Sequence, residues 1–140
     1  MGKVQILAVL TMDGCLSSEL YDKAHQDLCL DRCGLDEIRK KAFYRVTPDY
    51  SISMLHEWRK DGTNIRYLAE ATPDTADYIN GLLRMHAVDE IILYNVPFIS
   101  GSGRHFFKSA LPEQHWTLSS LKSYPNGVCR IIYILDKKAR

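Results

Sequence analysis

The sequence of 140 residues has almost no surplus of charge: 18 Lys and Arg stand against 17 Asp and Glu, a net charge of +1. A general nucleic-acid binder needs an excess of cations against phosphate, so that class is not expected. Long apolar runs are missing as well. The longest, Val4–Leu10 (broken by Gln5) and Ile91–Ile99 (broken by Asn95), fall far short of the roughly 20 residues of a membrane-spanning helix. Cysteine is sparse: Cys15, Cys29, Cys33 and Cys129 form no dense secreted framework, and a reduced, cytoplasmic protein is expected. Met1-Gly2-Lys3 runs directly into a strand-like segment with no small-residue cleavage site, which predicts no signal peptide. Ile6 stands where a myristoylation signal wants Ser or Thr. Internal repeats, low-complexity tracts and linkers are absent too.

What is present suits an ordinary globular chain, with 46% hydrophobic and 25% charged residues. That composition and length predict a single domain over residues 1–140 with a core of its own. Val4–Leu10 reads as a central strand punctuated by Thr11-Met12-Asp13-Gly14. Ser18 to Cys33 reads as a helix, with Leu20, Ala24 and Leu28 at helical spacing and Gly34 as its stop; Asp36–Lys41 adds a helical turn or two. Ala42–Val46 is the next strand, and Ser51 or Ser53 opens a helix through Leu55 and Trp58 to Asp61-Gly62. Ile65–Ala69 is a further strand. Thr72-Pro73-Asp74 then predicts a helix start, a capping hydroxyl followed by proline in the first turn, for a helix carrying Ala76, Ile79, Leu82, Leu83 and Met85. Strand and helix alternating at these spacings imply right-handed crossovers and a mainly parallel sheet. The last third departs from that pattern: after the strand Glu90–Val96, the runs Trp116–Tyr124 and Val128–Leu135 flank Pro125-Asn126-Gly127, an antiparallel hairpin signal.

Several patterns bear on chemistry. His25, Cys29 and Cys33 repeat at i, i+4, but each step climbs roughly 6 Å, too far for three to meet one ion; no metal is expected. Gly101-Ser102-Gly103 follows a strand but has Phe106 where a dinucleotide fingerprint needs its third glycine, so a turn is favoured. Arg104, His105 and Lys108 follow it, as solvated loop charges or as attraction for an anionic substrate group. Cys15 shares the chain with five histidines (His25, His56, His86, His105 and His115), yet no local signature of a cysteine hydrolase surrounds it. His56, Trp58 and Tyr67 read as packing or surface residues.

Three segments carry a resemblance. Leu10-Thr11-Met12-Asp13-Gly14-Cys15-Leu16-Ser17 follows the first strand; Val88-Asp89-Glu90 precedes a strand ending in Val96-Pro97-Phe98-Ile99-Ser100-Gly101-Ser102-Gly103; Tyr124-Pro125-Asn126-Gly127-Val128 closes a hairpin. Together with the order of elements they resemble the dihydrofolate-reductase-like family, above all the reductase domain of the bifunctional riboflavin-biosynthesis deaminase-reductase. The resemblance implies an α/β fold of dihydrofolate-reductase-like type, a mainly parallel sheet flanked by helices with an antiparallel C-terminal hairpin. It further implies NADPH-dependent hydride transfer to a small heterocyclic or ribosylamine-type substrate, and a homodimer. The loop Thr11–Leu16 corresponds to the one beside nicotinamide and substrate, which places Thr11, Met12, Gly14, Gly101, Ser102 and Gly103 at the substrate and Asp13 as the acidic candidate for catalysis. The helix start at Thr72, Asp74 and Thr75 corresponds to the cofactor-phosphate position.

Two departures stand beside these matches. Relatives carry a Gly-Gly pair where this chain has Glu70-Ala71-Thr72-Pro73-Asp74-Thr75, and no Gly-x-x-Thr occurs between Leu16 and Ala42. They favour a second expectation, a homologue that keeps the fold as a small-ligand-binding or interaction module without the reaction.

Overall fold

The computed structural model describes residues 2–16, 33–60, 65–97, 99, 101, 104–108 and 111–136. The helix expected from Ser18 lies outside these residues up to Arg32, as do Asp61-Gly62, Ser102, Gly103 and the last four residues. Among the described residues eight strands join one sheet: β1 (Lys3–Leu10), β2 (Cys15–Leu16), β3 (Tyr44–Arg45), β4 (Arg66–Glu70), β5 (Glu90–Asn95), β6 (Arg104–His105), β7 (Trp116–Ser123) and β8 (Cys129–Leu135). The helices are α1 (Leu35–Lys41), α2 (Ile52–Arg59) and α3 (Ala76–Arg84). None of the described helices is long and apolar enough to cross a membrane.

The main strand order is β3-β4-β1-β5-β8-β7. β3, β4, β1 and β5 run parallel, while β8 is antiparallel to both β5 and β7, so the expected architecture holds. Period-two alternation assigns each strand residue to a face. Val4, Ile6, Ala8 and Leu10 join Leu55 of α2 and Ala76, Ile79, Leu82 and Leu83 of α3 on one face. Leu7, Val9, Leu68, Ile92 and Tyr94 join Leu35 on the other, with Ile38 of α1 packed against them. A strand covered on both faces has no polar side, which is why Val4–Leu10 reads as an almost unbroken apolar run.

Some boundaries move for identifiable reasons. Gly34, expected to end a helix, stands immediately before α1 at φ +85°, a left-handed conformation that glycine adopts without strain. The strand expected over Ala42–Val46 shrinks to Tyr44–Arg45, because it lies at the sheet edge, where the rings of Phe43 and Tyr44 face solvent. Ser51 is the cap of α2, its hydroxyl accepting from the Met54 N–H at 3.4 Å. In the closing turn only Gly127 has positive φ, at +90°; Asn126 contributes its side chain, whose Oδ1 accepts from the Val128 N–H at 3.2 Å.

Val88-Asp89-Glu90 belongs to the amino edge of the sheet. One Asp89 oxygen accepts the Val4 N–H at 2.9 Å, and the other lies 3.6 Å from the buried Arg59 guanidinium. Arg59 also donates to the His86 carbonyl at 2.8 Å, tying α2 to the turn after α3. The motif is therefore a staple of the fold, remote from the edge where parallel strands place ligands.

Candidate functional site

The parallel strands end at one edge, and neighbours β4 and β1 send the chain in opposite directions, β4 on to β5 and β1 on towards β3. In open α/β sheets such a switch point at the carboxyl ends forms the ligand crevice. The loops there hold most of the sequence-predicted site residues.

The loop after β1 is tied internally through one hydroxyl. Thr11, fully buried, donates from Oγ1 to Asp13 Oδ1 and accepts the Cys15 N–H at 3.1 Å. Its backbone is held as well, Gly14 N–H to Thr11 O at 3.0 Å and Thr11 N–H to Cys15 O at 3.1 Å. The second Asp13 oxygen accepts the Gly101 N–H at 3.0 Å, across 88 positions of sequence. Asp13 thus clamps the β1 loop to the segment after β5, and Asn95 adds a bond from its amide to the Thr11 carbonyl at 3.4 Å. Gly14 and Gly101 stand at φ +77° and +76°, and among the described residues no atom beyond their chain neighbours lies within 4 Å of where a Cβ would stand. Met12 is exposed next to them. Of the predicted substrate group, Thr11, Met12, Gly14 and Gly101 gather here with Asp13; Ser102 and Gly103 lie outside the described residues.

Cys15 and His105 were not paired by sequence reasoning, since 90 positions separate them. They are register partners in the β2–β6 ladder, with the buried thiol sulfur 3.6 Å from Nδ1 of the exposed imidazole. Beside them Phe106, fully buried, donates its N–H to the Gly14 carbonyl at 3.2 Å and seals the loop from below. Among the described residues no group of three or more His, Cys, Asp or Glu is placed to hold a metal ion.

Thr72, Asp74 and Thr75 lie at the same edge, after β4, but in a separate turn. Regular helix begins at Ala76 and not in the Thr72–Asp74 turn, because Thr72 and Thr75 bond each other first. The Thr72 N–H donates to Thr75 Oγ1 at 2.8 Å, and the Thr75 N–H to Thr72 Oγ1 at 3.2 Å. Thr75 Oγ1 in turn donates to the Glu70 carbonyl at 2.9 Å. The two threonines thus bond each other, side chain to backbone, within the turn that precedes α3. Glu70 itself draws in two cations that sequence reasoning missed, Arg39 of α1 and, at 3.4 Å, the exposed Arg45 of β3. Behind β5, the Tyr94 and Tyr124 hydroxyls both donate to the Cys33 carbonyl at 2.8 Å and fix the approach to α1. Burial pushes both phenols above their ordinary range, with the nearby Arg130 acting in the opposite direction.

No family model matches the sequence, and no curated protein matches it either. The backbone does have solved counterparts. A provisionally assigned riboflavin biosynthesis protein from Shewanella sp. PV-4 is similar with a TM-score of 0.63 and 11% identity, over 96% of this chain and 99% of that one. RibD of Acinetobacter baumannii is similar with a TM-score of 0.60 and 11% identity, over 98% of this chain. A diaminohydroxyphosphoribosylaminopyrimidine deaminase/5-amino-6-(5-phosphoribosylamino)uracil reductase from Thermotoga maritima gives 0.52 and 10%, over 96%. This chain spans 59% and 57% of the last two proteins' own lengths. At such identities the likeness concerns the backbone, and what it shows is that this chain has the dihydrofolate-reductase-like fold of the riboflavin-biosynthesis reductases.

Proposed function

We propose that the carboxyl edge binds a small heterocyclic or ribosylamine-type molecule between the Thr11–Cys15 loop and Gly101, the class of molecule after which the Thermotoga neighbour is named. The observation that carries this reading is the Asp13 clamp, which fixes two loops far apart in sequence around two glycines that, among the described residues, have open space beside them. Such preorganisation is what a binding site on loops requires. With both carboxylate oxygens accepting hydrogen bonds, Asp13 acts here as a positioning residue that shapes the loop.

Two readings follow for what happens to the bound molecule. The fold of the neighbours supports NADPH-dependent reduction, in which the cofactor supplies the hydride and the protein orients and shields the reacting groups. The residues after β4 do not fit that cofactor, however. The N–H groups of Thr72 and Thr75 are answered by each other's hydroxyls, Pro73 has no N–H, and Asp74 adds an exposed negative charge. No step is therefore assigned through NADPH. The turn favours the second reading, a ligand-binding homologue on the reductase fold.

The test of the site is thermal unfolding with a ribosylaminopyrimidine. At about a hundred times its Kd a ligand stabilises the native state by about 2.7 kcal/mol, a shift of several degrees. Loss of that shift in Asp13→Ala is expected; an unchanged shift removes the clamp from the site. We propose in addition that the chain pairs with a second copy through β7. This edge strand of eight residues leaves Leu118 and Leu121 exposed, and an open apolar edge is a template for pairing. Leu121→Lys is expected to turn a dimer into a monomer in sedimentation, and a wild type that sediments as a monomer ends the proposal.

A further inference from the structure

The disagreement at the turn after β4 reaches further than a missing glycine pair. We infer that the Thr72–Thr75 turn closes this edge to a diphosphate, so that the chain does not take a pyridine dinucleotide where reductases of its fold do. The inference rests on the carboxyl edge being the ligand site and adds what that site rejects.

A diphosphate on a loop-to-helix junction needs backbone N–H groups that are free to turn towards it. Here two side chains have taken that role. Thr75 Oγ1 receives the Thr72 N–H at 2.8 Å, and Thr72 Oγ1 receives the Thr75 N–H at 3.2 Å, so two donors are already satisfied within the chain. Thr75 Oγ1 also donates to the Glu70 carbonyl at 2.9 Å, which ties the closed turn to the end of β4. Of the two residues between the threonines, Pro73 has no N–H, which leaves only the N–H of Asp74, whose own side chain is negative and exposed. Opening the turn for an anion sacrifices all three bonds at once.

Charge acts in the same direction. Asp74 is exposed on the turn itself. The cations at the end of β4, Arg39 and Arg45, both pair with the Glu70 carboxylate, so their charge is already matched there. The β1 loop differs in this respect: its carboxylate is covered on both oxygens, by Thr11 and by Gly101. The edge is thus prepared for a compact ligand beside Gly14 and Gly101 and blocked for a ligand that must also lie along the start of α3.

The experiment compares thermal unfolding of the wild type and of Asp74→Gly/Thr75→Gly, each with millimolar NADPH and, separately, with a ribosylaminopyrimidine. Thr75→Ala, which deletes only the hydroxyl, is run beside them as a milder variant. Expected is no NADPH shift in the wild type and a saturable shift of several degrees in the double variant, with part of it in Thr75→Ala. A saturable NADPH shift in the wild type overturns the inference. So does a folded double variant that gains none. The ribosylaminopyrimidine arm separates the two proposals. If that probe shifts both proteins while NADPH shifts neither, the turn is not the barrier and the site reading stands. If the variant gains NADPH binding while the probe shifts nothing, the barrier stands and the substrate reading falls.

Discussion

Two loops at one edge of the sheet are built from the same residue types and do opposite things. Thr11-Met12-Asp13-Gly14 uses a buried threonine to aim a carboxylate outwards, across to the Gly101 N–H. Thr72-Pro73-Asp74-Thr75 uses a pair of threonines to satisfy its own backbone, leaving its carboxylate on the surface. The first loop directs its polar groups to joining distant segments around open space. The second directs them to itself. A threonine followed by an aspartate two positions later therefore carries no fixed meaning; the partner of the hydroxyl decides.

The sharpest way to break the comparison is to remove the hydroxyl that organises the first loop. Thr11→Val keeps the shape but leaves the buried Cys15 N–H without its side-chain acceptor and Asp13 without the Thr11 donor. An unsatisfied buried donor costs about 2 kcal/mol, so chemical denaturation is expected to show a loss of that size and Tm a fall of roughly 7 °C. A change within error would mean that Thr11 is incidental to the loop.

Asp13→Ala comes next. Its side chain is half-buried, so water replaces part of what is lost, and a cost of about 1–2 kcal/mol is expected. The informative measurement is local: hydrogen exchange at the Gly101 amide should accelerate far more than exchange in β1, because only the former loses its acceptor. Equal acceleration in both would show general loosening in place of a broken clamp.

The second loop answers with smaller effects. Thr75→Ala removes the acceptor of the Thr72 N–H and the donor to the Glu70 carbonyl, both in a partly exposed turn, for about 1 kcal/mol by urea denaturation. A loss as large as that of Thr11→Val would erase the distinction between the loops.

The parts of this molecule that could be read from sequence are those set by periodicity. β1, β4, β5 and α3 stand where their apolar spacing places them, because each has a face or two faces to bury, while the hairpin stands where Asn126-Gly127 places its turn. The apolar run Ala42–Val46 overstates the strand at Tyr44-Arg45, since at a sheet edge solvation competes with pairing and no pattern in the run records it. At the site, Asp-Gly marked the β1 loop, whereas the cap expected at Thr72 gave way to Thr75 as the residue before α3. The bonds that assign roles to these residues were invisible. Asp13 to Gly101 and Cys15 to His105 are tertiary contacts, and whether Thr75 would start a helix or close a turn depended on the Glu70 carbonyl. Val88-Asp89-Glu90 taught the converse: it helped to identify the fold, yet its carboxylate serves the amino edge and not the ligand.

The smallest effect on stability gives the finest test. Asp74 is exposed near the start of α3, where a negative charge is mildly favourable, so Asp74→Asn should change stability by no more than about 0.5 kcal/mol. Its value lies in separating charge from closure at the second loop. If repulsion alone kept a diphosphate away, Asp74→Asn would by itself admit millimolar NADPH, and raising the salt would admit it to the wild type through screening. If the threonine pair is the barrier, Asp74→Asn alone should give no NADPH shift at any ionic strength, while Asp74→Asn/Thr75→Ala should give one that exceeds Thr75→Ala and narrows towards it as salt is raised. A thermal-shift series over the wild type and these three variants decides between an electrostatic lock, which salt opens, and a hydrogen-bonded one, which salt leaves shut.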